Sequence, residues 1–131
     1  MADVRGGPSQ ASLEPQLGGT TMYKLISAAS TNATNVKASE GALYGVQVFN
    51  TNAAARYLKL YNKASAPTVG TDTPVKVLTI PGNTAGSGLV IHFANGISFT
   101  TGIAFALTTG AADSDTGAVA ANEIVTNLDY F

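Results

Sequence analysis

Few side chains in this sequence could do chemistry, and they are scattered. His92 is the only histidine and sits inside the apolar run Leu89-Val90-Ile91-His92-Phe93. A general base needs a nucleophile and an orienting partner within hydrogen-bond reach. A histidine metal site needs further His, Cys or carboxylate ligands. His92 brings neither, so it is expected to be a strand-face residue with a hydrogen-bond partner. The absence of cysteine excludes thiolate nucleophiles, thiolate metal sites and disulfides. Asp113-Ser114-Asp115-Thr116-Gly117 places carboxylates at i and i+2 ahead of a glycine, as a calcium loop begins. The other ligands of such a loop are missing, and an Asx turn is the expected role. Glu40, Asp72, Asp113, Asp115, Glu123 and Asp129 form no paired-acid pattern of the kind glycoside hydrolysis uses. The glycine-rich stretch Gly82–Gly88 lacks the lysine and following helix of a phosphate-binding loop, and no Gly-Xaa-Ser-Xaa-Gly elbow occurs. The sequence thus predicts no enzyme, and no catalytic residue, cofactor or metal ligand.

The tyrosines point instead to recognition. In Arg56-Tyr57-Leu58-Lys59-Leu60-Tyr61 the alternation puts Tyr57 and Tyr61 on one strand face with Lys59 between them. That face is expected to be half-solvated or covered by a partner. Arg56 and Lys59 are placed to reach carboxylates across an interface. Arg56, Tyr57, Lys59 and Tyr61 are therefore the predicted interface residues, with stacking of the tyrosines on sugars as the alternative use.

The elements that would position these residues are strands. From Met22 onward apolar residues recur with period two, in runs bounded by Gly, Pro, Asn and Asp. Leu43 to Asn50 is the strongest, with Leu43, Gly45, Gln47 and Phe49 on one face and Tyr44, Val46, Val48 and Asn50 on the other. The short connection Thr51–Ala55 predicts a central hairpin between this strand and Arg56–Lys63. Ser87–Phe93 and Ile97–Phe99 read as two strands separated by a turn at Asn95-Gly96. Gly102 to Thr109 is a strand with small residues on one face. Eight or nine strands at this spacing predict an all-β fold, an antiparallel sandwich of jelly-roll type in preference to a closed barrel. Residues 21–131 form one domain in this reading. Residues 1–20, punctuated by Gly6, Gly7, Pro8, Pro15, Gly18 and Gly19, form an extended or flexible arm that could order against a neighbouring subunit.

Composition narrows the partners. Hydrophobic residues make up 45% of the 131 residues and charged residues only 11%, against about 25% in ordinary soluble domains. A surface of Thr, Ser, Asn, Gly and Ala suits a protein that lives in an assembly. The formal net charge is −1. The few scattered Lys and Arg give neither a nucleic-acid footprint nor a polybasic membrane anchor. No run approaches the roughly 18 apolar residues of a membrane span, and the N-terminus lacks the apolar core of a secretory signal.

The segments Ser30–Ala38, Gly41–Asn50 and Ala53–Ala64, then Ala66–Pro74, Gly102–Phe105 and Thr109–Asp113, resemble small β-rich proteins encoded among the structural genes of tailed bacteriophages. Capsid cement and decoration proteins belong to that group. The resemblance spans roughly Tyr23 to Asn122 and carries no active-site pattern. It implies a virion component made in the host cytoplasm, bound to the major capsid protein at the capsid surface, and assembled as a dimer or trimer. A fibre or receptor- and carbohydrate-binding module is the alternative.

Overall fold

A computed structural model describes residues 19–131. The arm predicted for residues 1–20 lies, apart from Gly19 and Thr20, outside the described residues. Eight strands follow in chain order: β1 (Thr21–Ile26), β2 (Thr34–Lys37), β3 (Gly41–Asn50), β4 (Arg56–Asn62), β5 (Lys76–Ile80), β6 (Ser87–Phe99), β7 (Ile103–Thr108) and β8 (Ile124–Tyr130). They form two four-stranded sheets with the orders β1-β8-β3-β6 and β2-β7-β4-β5. Every recorded pairing is antiparallel. β1 pairs β8, β2 pairs β7, β3 pairs β6 and β4 pairs β5, as if one long hairpin had been rolled up. This is the jelly-roll sandwich.

The predicted β3–β4 hairpin is not formed. β3 lies in one sheet and β4 in the other, so Thr51–Ala55 crosses between the sheets. Asn50 turns this corner. Its buried side chain donates to Ala54 O at 2.9 Å and accepts from Asn52 N at 2.8 Å. Asn52 Oδ1 in turn accepts from Ala54 N. These side chains satisfy backbone groups that a two-strand turn would have paired across the hairpin.

The turn predicted at Asn95-Gly96 is also absent, because β6 runs through it. The register jumps from Leu43↔Ile97 to Gly45↔His92, so Phe93–Gly96 bulge opposite Tyr44. Gly96 adopts φ +75°, and a Cβ there would meet the Tyr44 ring at 2.9 Å. Glycine fits both demands. The same shift corrects the face assignment of β3. Leu43 joins Val46 and Val48 in the core, while Gly45, Gln47 and Phe49 stay on the opposite face.

Leu43, Val46, Val48, Ile124 and Leu128 from one sheet meet Leu58, Leu60, Leu78, Ile80, Ile103, Phe105 and Leu107 from the other. Tyr23 packs edge-on against Phe105 across the sandwich, with ring centroids 6.1 Å apart. All six residues of β7 are buried. Ile103, Phe105 and Leu107 fill the core, whereas Ala104 and Ala106 lie on the outer face beside Tyr61. Their small size leaves room for the covering described next.

Candidate binding face

The outer face of the β2-β7-β4-β5 sheet is roofed by the chain itself. Two long connections, 63–75 and 109–123, fold over β4 and β7. They meet where Gly70, at φ +90°, lies so close to Thr116 that a Cβ on Gly70 would sit 2.6 Å from Thr116 Cγ2. Beneath them lies Lys59, fully buried, with Nζ donating to Ala112 O at 2.5 Å and Asp115 O at 3.2 Å. The two carbonyls in turn satisfy the buried ammonium; Ala112 O also accepts from Asp115 N at 2.9 Å. The Asp113–Gly117 segment thus turns one main-chain oxygen, that of Asp115, toward a lysine. Asp115 Oδ1 accepts from Gly117 N at 2.8 Å and Gly110 N at 3.2 Å, the expected local turn. No group of three or more His, Cys, Asp or Glu side chains among the described residues could hold a metal ion. The 63–75 connection is clamped by Asp72, which accepts from Thr68 N and pairs with Lys63 Nζ. This pairing holds the Asp72 carboxyl below its ordinary range.

Tyr61 lies under the same roof, packed with Ala104, Ala106 and Val69, and its hydroxyl has no hydrogen-bond partner. Burial, with the nearby charges of Asp72 and Asp113, raises its pKa above the ordinary value. Below about pH 10 the phenol is neutral whether the chain is folded or not, so Tyr61 adds no pH dependence there. Above that, the unfolded chain ionises first. The folded state then holds the extra proton, and stability falls as pH rises from about 10 toward the folded pKa. In an absorbance titration one of the five tyrosines should therefore ionise late, and Tyr61→Phe should abolish both the lag and its share of the alkaline loss. Unchanged titration in Tyr61→Phe would refute this.

These positions revise the predicted interface. Lys59 and Tyr61 are occupied by the chain's own loops, and Tyr57 is half-buried beside Thr108 and Thr79. Arg56 lies on the opposite strand face and donates through Nε to Glu123 Oε2 at 2.8 Å, within the chain. Alternation within β4 does not reveal the roof, which is made by the connection that follows the strand and by a second one 53 residues from Lys59. His92 is exposed on β6 opposite Gly45. Among the described residues its side chain makes no hydrogen bond, because its neighbour in the row has no side chain.

The β1-β8-β3-β6 sheet is different. Its outer face carries no covering segment among the described residues. The strand registers set its side chains in rows: Ile26, Val125, Phe49 and Gly88; then Lys24, Asn127, Gln47 and Val90; then Met22, Asp129, Gly45 and His92. Six large hydrophobic residues are exposed among the described ones, and four of them stand here: Met22 (82%), Val90 (74%), Ile26 (51%) and Phe49 (41%). Lys24 and Asp129 are its formal charges at neutral pH. Met22, Lys24, Gln47, Asn127 and Asp129 line a shallow depression on it. Single exposed apolar residues are ordinary, and Met22 stands apart from the others beyond Lys24 and Asp129. Ile26, Val125 and Phe49, by contrast, adjoin one another in one row with Val90 diagonally beside Phe49. A group of that kind marks a contact surface.

Fold and face together define an antiparallel jelly-roll sandwich with one self-covered sheet and one open apolar sheet. No family model, curated protein or solved structure matches the chain significantly.

Proposed function

We infer that this is a non-enzymatic structural protein of a tailed-phage particle, a cement or decoration protein that binds the shell of major capsid protein. The observation that carries the reading is the open outer face of the β1-β8-β3-β6 sheet, where Met22, Ile26, Phe49 and Val90 stand exposed. Attachment to a lattice proceeds by area, through a flat surface with few charges and many small contacts. Repetition over the lattice then supplies avidity. The resemblance of Ser30–Ala64 and the later segments to phage structural proteins supports the same reading. The sugar-stacking alternative relied on Tyr57 and Tyr61, and Tyr61 is shut beneath the loops.

Cosedimentation with capsids lacking the protein tests this. The wild type should saturate the shell at a fixed ratio. Phe49→Lys, which places a charge between the exposed Ile26 row and Val90 without touching the core, should weaken attachment by at least about tenfold. Ser114→Lys, on the exposed roof, should bind as the wild type does. A protein that ignores the shell, or a Phe49→Lys variant that binds equally well, would overturn the proposal.

A further inference from the structure

Among the described residues each sheet ends in two open strands, and an open strand presents unpaired N–H and C=O groups that invite another chain unless something blocks them. Three of the four edges are blocked. β1 carries the exposed Lys24 in its middle. β2 has only four residues and an irregular register at Asn35/Lys37. β5 has five residues, begins with the exposed Lys76 and lies between Pro74 and Pro81.

The stretch Ser87-Gly88-Leu89-Val90-Ile91-His92 of β6 is unguarded. It has no lysine, acidic residue or proline, and the bulge begins only after it. Among the described residues, the backbone of β6 makes no hydrogen bond outside its ladder with β3. Leu89 and Ile91 point toward the core yet stay half-exposed at this edge, while Val90, on the outer face, is 74% exposed.

We propose that two copies of the chain pair through this edge, β6 against β6, antiparallel about a two-fold axis at Val90. Directly opposed residues of an antiparallel pair share a face, so only registers that match parity keep core with core. Pairing Val90 with Val90 of the second copy does so. It sets Leu89 opposite Ile91 and Gly88 opposite His92, and covers the half-exposed core residues on both sides. The absence of formal charge at neutral pH means that the two-fold axis brings no like charges together. A second copy is the favoured occupant because the edge complements itself in this register. The two sheets become one, and both open faces point the same way. The pairing does not rest on what that face binds.

Sedimentation equilibrium of the full chain should give twice the chain mass at micromolar concentration. Val90→Lys places two ammonium groups opposite each other at the axis and should give the monomer mass with the fold intact, since Val90 is not in the core, and with a melting temperature that no longer rises with protein concentration as the wild type's does. Alternate amides of 87–92 should be slow to exchange in the wild type and fast in Val90→Lys. Phe49→Lys, one strand inward, should stay dimeric even where it fails to bind a shell, which separates this proposal from the previous one. A monomeric wild type, or a Val90→Lys variant that remains dimeric, overturns it.

Discussion

Replacing Lys59 by alanine is expected to lower stability by about 2–4 kcal/mol and to loosen the 109–119 connection selectively. Two costs combine. The carbonyls of Ala112 and Asp115 lose the ammonium they share. Ala112 O keeps its bond from Asp115 N, while the Asp115 carbonyl loses its donor beneath the roof, and an unsatisfied buried polar group costs about 1–3 kcal/mol. The missing stem leaves a hole between β4 and the roof, a cost of the same kind as a core truncation. Relief of the lysine's own desolvation offsets part of the sum. Lys59→Met keeps the stem and removes the charge, so it should cost less, about 1–2 kcal/mol. For a domain of this size the alanine variant corresponds to roughly 10 °C in Tm. Thermal unfolding gives the total. Hydrogen exchange should show Gly110 to Gly117 opening in both variants while β3 and β8 stay protected. An alanine variant with wild-type Tm and exchange would show that the loop closes without the lysine.

Glu123→Ala should cost a similar amount at the other end of the sandwich. The Glu123 carboxylate is almost fully buried and accepts from Arg56 Nε and Asn52 Nδ2, each at 2.8 Å. Its backbone oxygen accepts from Thr51 N and Thr51 Oγ1 at 3.0 Å. This cluster holds the crossover between the sheets against the start of β8. Removing the carboxylate leaves Arg56, itself mostly buried, without its charge partner, and breaking such a pair costs about 3–5 kcal/mol when burial is complete. Partial exposure of Arg56 reduces this to about 2–4 kcal/mol. Arg56→Met combined with Glu123→Ala should recover part of the loss, because the double variant leaves no unpaired charge. Strictly additive single losses would refute the coupling.

Both predictions concern residues whose types were plain in the sequence but whose surroundings were not. Alternation located Leu58 and Leu60 on one face of β4 and Lys59 and Tyr61 on the other, and the structure keeps that division. Alternation is a property of neighbouring residues, since successive strand side chains must point to opposite sides. It does not say what covers the second face. Lys59 looked available to a partner and is instead consumed by a loop 53 residues downstream.

The strand inventory was legible for the same local reason. Apolar period-two runs between turn formers specified an all-β antiparallel sandwich, and β4 and β7 lie close to where the sequence puts them. The tertiary structure decided the rest. β3 and β4 are joined by a connection short enough for a hairpin, yet each pairs elsewhere: β3 with β6 and β8, far along the chain, and β4 with the next strand β5 and the distant β7. Only pairing between distant segments can choose among such alternatives, because it buries two apolar faces at once. The open face has the same origin. Met22, Ile26, Phe49 and Val90 come from three strands that share a sheet only after the roll closes, with β8 between β1 and β3. Their exposure depends on the long connections folding over the opposite sheet, a choice that composition and periodicity do not encode.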